Sequence, residues 1–150
     1  MQIALHQPDI AGNVGTILRL GACFGVGVDI IGPCGFAFSD RALKRAGMDY
    51  AGAASVTHHA DWAAFRETVP PKRLVLLTTA GGTRLPEARF ADDDILLFGS
   101  ESAGVPPAVH AAADLRVRIP MQAGFRSLNI AVAAGIALGE ALRQTGGFAA

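Results

Sequence analysis

IPMQAGFRSLN, residues 119–129, couples an apolar strand end to a long apolar run, and its reading decides the fold. Val117 and Ile119 close a strand at Pro120. A loop with Gly124 and one cation, Arg126, follows. Ser127 then opens a helical segment over residues 127–143. Serine is a good helix N-cap, and a loop feeding a helix start leaves backbone groups unpaired for a ligand. The stretch therefore predicts a binding site at the carboxyl end of a strand.

Working outward, strand-like and helix-like stretches alternate. Residues 3–6, 26–31, 54–58, 74–78, 95–98 and 115–119 read as strands. Residues 14–24, 40–47, 61–68 and 106–113 read as helices, the first capped by Asn13. The alternation is that of an α/β domain with a mainly parallel sheet and helices on both faces. Residues 74–78 and 95–98 have the unbroken apolar character of strands buried on both sides. Ligands in such sheets bind beyond the carboxyl ends of the strands. That points to three loops: 79–83, 99–107 and 120–126. One domain spans residues 1–150, with no repeat or linker.

Composition narrows the classes. Hydrophobic residues make up 51% and charged residues 17%, which argues against disorder. The 13 basic and 13 acidic residues cancel, against a nonspecific nucleic-acid coat but not against a local basic face. The start MQIALHQPDI is no secretory signal, and the apolar run 130–138 is too short to span a membrane, so a soluble cytoplasmic protein is expected. Cys23 and Cys34 fit neither a disulfide framework nor a zinc spacing, and Cys23 reads as a small core residue.

Several motifs are weighed and set aside. There is no GxGxxG and no GxxxxGK[ST], which counts against a dinucleotide fold and a P-loop. GSESAG, residues 99–104, is not a nucleophile elbow, because Ser102 lacks a glycine two positions before it. It reads instead as a ligand loop with one carboxylate, Glu101. His58 and His59 alternate across a strand, so they do not share a metal; a surface or capping role suits them. His6 reads as a satisfied residue at a strand end. Arg19, on the helix that Asn13 opens, is placed to take a phosphate or to lie in solvent. Arg41, Lys44 and Arg45 form one basic helix face, with Tyr50 close behind. The last helix is apolar almost all round over residues 128–138, so it needs cover. Gly135 and Gly139 admit a second backbone, which favours a homodimer over core packing alone.

Three ordered blocks then carry a family: NVGTILR (13–19), LFGSESAGVP (97–106) and IPMQAGFRSLN (119–129). With KRAGMDY (44–50), the chain resembles the SPOUT-class RNA 2′-O-ribose methyltransferases over nearly its whole length. It is most similar to the small single-domain branch that acts on the wobble nucleotide of certain tRNAs. The resemblance implies a C-terminal deep trefoil knot, which general topology rules would reject. It implies S-adenosylmethionine as cofactor, no metal, tRNA as partner, and a homodimer. Leu77, Gly99, Ile119, Ser127, Leu128 and Asn129 would meet the cofactor. Arg19, Arg126 and Glu101 would serve catalysis, and Asn13, Lys44, Arg45 and Tyr50 the substrate. The implied reaction is methylation of the wobble cytidine or modified uridine of a leucine tRNA. Another tRNA or rRNA position, or a noncatalytic RNA-binding dimer, is the alternative. The sequence departs from the branch at Ser100, where relatives often carry proline, and at Ala103, where they carry a cation. Ala131, Val132 and Gly139 depart as well.

Overall fold

The computed structural model describes residues 1–37, 41 and 55–150. Apart from Arg41, the predicted helix over 40–47, and with it Lys44, Arg45 and Tyr50, lies outside the described residues.

Seven parallel strands form one sheet in the order β3-β2-β1-β6-β4-β7-β5. They are β1 (Gln2–His6), β2 (Gly27–Ile31), β3 (Val56–His59), β4 (Leu74–Leu77), β5 (Thr83–Arg84), β6 (Ile95–Phe98) and β7 (Leu115–Arg118). All four residues of β4 and of β6 are buried, as their unbroken apolar runs require. Helices cover both faces. On one, α1 (Ala11–Phe24) and α4 (Ile130–Thr145) bury Val14, Ile17, Leu18, Ala134 and Leu138 against Ile3, Leu5 and Leu96. On the other, α2 (Trp62–Thr68) and α3 (Pro107–Ala112) bury Phe65 and Val109 against Ala4, Leu76 and Leu97.

The strand order reverses at β1, which pairs with β2 on one side and β6 on the other. The crevice at the carboxyl end of the sheet lies on the β6 side of that reversal, where β4, β6 and β7 end. The opposite end is closed by charge. Arg73, just before β4, holds the fully buried Asp94, just before β6, through two hydrogen bonds of 2.8 and 2.7 Å. A carboxylate so deeply buried is tolerated only with such pairing.

Several expectations are corrected. Ile10, not Asn13, is the N-cap of α1, and Asn13 sits in the first turn. The last helix starts at Ile130 with Asn129 as its cap; Ser127 precedes it in the loop. Cys23 is exposed, because it shares the outward stripe of α1 with Gly12, Thr16 and Arg19. The third strand ends at His59, one residue beyond its predicted end, and His59 is buried there, its Nε2 2.8 Å from Asp29 Oδ1. His6 is 2% exposed, yet its Nδ1 has no hydrogen-bond partner, so it is not satisfied. β5 and the 3₁₀ turn Leu85–Glu87 have no counterpart in the sequence reading, being too short for a periodic signal.

Candidate active site

A cavity of about 480 Å³ opens where β4, β6 and β7 end, a size usual for small-molecule sites. Each strand feeds a loop into its wall. After β4 come Leu77, Thr78 and Thr79; after β6 come Gly99, Ser100 and Glu101. After β7 come Ile119, Met121, Ser127, Leu128 and Asn129, and α1 contributes Asn13. All six residues assigned to the cofactor thus line one cavity, with Asn13 and Glu101 beside them.

Two close approaches give the wall its shape. A Cβ on Gly99 would lie 2.5 Å from the backbone carbon of Gly104, where an antiparallel bridge between Ser100 and Gly104 folds the loop back. A Cβ on Gly81 would lie 2.6 Å from the backbone carbon of Val117, where the loop after β4 crosses β7. Neither position accepts a side chain without moving backbone.

A continuous hydrogen-bond chain locks the loops together. The Asp9 backbone N–H donates to Glu101 Oε2 (2.9 Å), and Asn13 Nδ2 donates to Glu101 Oε1 (3.0 Å). Asn129 Nδ2 donates to Asn13 Oδ1 (2.9 Å). Asn129 Oδ1 accepts from the backbone N–H groups of Ala131 (2.9 Å) and Val132 (3.3 Å). The loops after β1 and β6, the first turn of α1 and the start of α4 are therefore one unit. Sequence reasoning missed Asp9, which also accepts from the Ser102 hydroxyl and backbone N–H. Its place after Pro8, at the carboxyl end of β1 beside the switch point, was the available signal.

Glu101 has both oxygens engaged within the protein, which suits a positioning residue. Arg19 and Arg126 are exposed and do not line the cavity. A hydrolase is disfavoured on geometry too: Ser102 turns to Asp9, and His110 Nδ1 accepts from Arg116 at 3.3 Å.

Comparison with known proteins places these features in a family. The SpoU rRNA methylase family model matches residues 1–139. A tRNA (cytidine(34)-2′-O)-methyltransferase of Beijerinckia indica is 54% identical over 149 residues, covering 98% of this chain and 93% of its own. A solved structure concerned with 2-OH methylation of C/U34 on tRNA superposes with a TM-score of 0.90 at 42% identity, covering 95% of this chain and 94% of that one. An AdoMet-bound rRNA methyltransferase from Sinorhizobium meliloti gives 0.84 at 30% identity, covering 95% of this chain and 55% of its own. The chain belongs to the SpoU rRNA methylase family.

Proposed function

We propose that this chain uses S-adenosylmethionine to methylate the ribose 2′-hydroxyl of nucleotide 34, a cytidine or a uridine, in a tRNA, as its relatives' names describe for them. The observation that carries the reading is the convergence of three strand-end loops on one cavity beside the locked Glu101–Asn13–Asn129 chain. The lining fits the cofactor. Leu77, Ile119 and Leu128 line the cavity with apolar side chains that would suit an adenine, and the loop backbone groups beside them would hold its polar atoms.

When bound, S-adenosylmethionine supplies an electrophilic sulfonium methyl. The residues of the chain then have to hold and orient, which alone removes much of the barrier. Arg19 cannot act as a base, because a guanidinium stays charged. From outside the cavity wall it stabilises the developing 2′-oxyanion or grips the adjacent phosphate, and Arg126 meets the RNA likewise. Glu101 fixes Asn13, and Asn13 fixes the loop that carries Ser127 and Leu128.

Two structural readings accompany this function. We infer a trefoil knot in the C-terminal half. α4 leaves β7 yet packs on β6 and α1, so residues 119–129 cross back over the ends of β4 and β6. We also infer a homodimer through the outward face of α4. Val132 (50% exposed) and Ile136 (41%) stand there, with nothing within 4 Å of a Cβ on Gly135 or Gly139. Among the described residues no helix is long and apolar enough to cross a membrane; a tRNA substrate supports a cytoplasmic location.

Mapping 2′-O-methyl groups in tRNA from a deletion strain tests the reaction. The methyl group at nucleotide 34 is lost and returns on complementation; unchanged methylation there refutes the assignment. Failure to bind S-adenosylhomocysteine by calorimetry would leave a noncatalytic RNA-binding dimer.

A further inference from the structure

Beside the cavity lies a second, more open groove of about 550 Å³. Its walls are Arg84 at the sheet edge and Pro120, Gln122 and Phe125 in the loop after β7. Met121, Ser127 and Leu128 line both hollows, so one loop separates them. We propose that this groove is an RNA-contact strip, in which Phe125 stacks on a base next to the methylated nucleotide and Arg84 and Arg118 hold the backbone. The proposal rests on the RNA methyltransferase reading above and adds a specificity surface to it.

Phe125 is 75% exposed, more than any other large apolar side chain among the described residues. Gly124, at φ 94°, turns the chain just before it and presents the ring to solvent. The ring joins neither hydrophobic core cluster, so the fold does not explain it. One cation, Arg84, lines the groove with it, and two more lie next to these two in pairing or in sequence. Arg84 and Arg118 are register partners on the adjacent parallel strands β5 and β7, and Arg126 follows Phe125 directly. Arg84 donates to Glu87 at 3.1 Å across an exposed pair, a contact weak enough for a phosphate to compete with. The side chains of Arg118 and Arg126 make no hydrogen bond or ion pair with the described residues. An exposed aromatic among arginines, in a chain of zero net charge, is what single-stranded nucleic acid recognises: stacking on the ring, phosphates on the guanidinium groups. A second protein copy would want the opposite, and the neutral apolar face of α4 supplies that elsewhere.

The test measures tRNA binding and methyl transfer by the full chain and its variants. Phe125→Ala should raise Kd and KM for tRNA about tenfold, with Phe125→Trp restoring both. Affinity for S-adenosylhomocysteine, melting temperature and sedimentation should not change. Arg84→Ala and Arg118→Ala should each lower the slope of log affinity against log salt by about 1. Unchanged tRNA affinity in Phe125→Ala overturns the proposal. So does an equal loss of cofactor-product affinity, which would put Phe125 in the cofactor site, or dissociation of a dimer, which would put it in a protein interface. A Phe125-dependent tRNA affinity with methylation at a position other than nucleotide 34 supports the strip while refuting the proposed function. A wild-type protein that neither binds nor methylates tRNA overturns both.

Discussion

Reversing the polarity of the hydrogen-bond chain at the site tests whether it works as one unit. In the native order, each of the two amides accepts on one side and donates on the other, and Glu101 accepts on both: Asn129 accepts from α4 and donates to Asn13, which donates to Glu101. Asn129→Asp keeps the oxygen that caps α4, and a carboxylate also suits a helix N-terminus. It removes the Nδ2 donor to Asn13. If the Asn13 amide flips to donate to residue 129, its oxygen then faces Glu101; if it does not flip, its oxygen faces the new carboxylate. Glu101→Gln fails in the mirror sense, because one oxygen must still accept the Asp9 N–H and the amide nitrogen then meets the Asn13 donor. Combined, the two changes fit. The amide introduced at position 101 donates to the flipped Asn13, which donates to the carboxylate introduced at position 129. Each single variant leaves one mismatched contact, a loss of about 1–2 kcal/mol. For a chain of this length that lowers Tm by roughly 2–8 °C. Melting and S-adenosylhomocysteine titration of all four proteins form a double-mutant cycle. With the double variant free of mismatch, the expected coupling is the sum of the two single losses, about 2–4 kcal/mol in its favour. Additivity within ~0.5 kcal/mol would refute the idea that these three side chains act as a continuous chain.

Three further outcomes are expected. Arg19→Ala should abolish methyl transfer while S-adenosylhomocysteine affinity stays within about twofold, since Arg19 does not line the cavity; normal turnover would remove it from the mechanism. Ile136→Asp places a charge on the apolar face of α4 and should convert dimer to monomer in sedimentation, whereas Arg143→Asp, one helix turn beyond Gly139 and already exposed, should leave the dimer intact. Burial lowers the pKa of His6 below its usual 6.5. The unfolded chain therefore takes up a proton near pH 6.5 that the folded chain resists. The His6 contribution is complete above that pH and is lost as the pH falls through and below it. Tm should drop from about pH 7 to about pH 5, and His6→Phe, which keeps a ring against Trp62, should flatten that drop; identical slopes would refute it.

The fold is legible in the sequence where local pattern and burial agree. The apolar run 95–98 matches β6 to the residue, and β4 and α1 lie nearly where their patterns put them, because continuous apolar runs and a 3.6-residue period leave little choice. The loops that form the cavity are legible for another reason: strands of one direction put their carboxyl ends on one side. The caps are not, because Asn13, Ser127 and Asn129 are all good cap residues. Which one caps depends on where the chain enters the helix, and there the long-range bonds of Asn13 to Glu101 and of Asn129 to Asn13 take part. The burial of His59 is hidden as well, because it depends on Asp29, thirty positions away and two residues out of register with it on the neighbouring strand. No short sequence window contains that pair.

The departures from the tRNA branch also divide along physical lines. Ser100 stands where relatives often carry proline, yet its Oγ accepts from the Ala103 N–H at 3.1 Å and donates to the Gly104 carbonyl at 3.3 Å. A ring that stiffens the loop is thus replaced by two hydrogen bonds that do the same. Ala131 and Val132 matter to the site through their backbone N–H groups, which any residue but proline supplies to Asn129. Gly139 lies on the open face of α4, where a Cβ would meet nothing within 4 Å among the described residues. Each change thus spares the backbone geometry on which cofactor binding depends. Ala103 is different: it removes a cation and restores nothing locally. If the proposed strip holds RNA, Arg84 and Phe125 in the groove after β7, with Arg118 paired to Arg84, would supply the grip that Ala103 lacks.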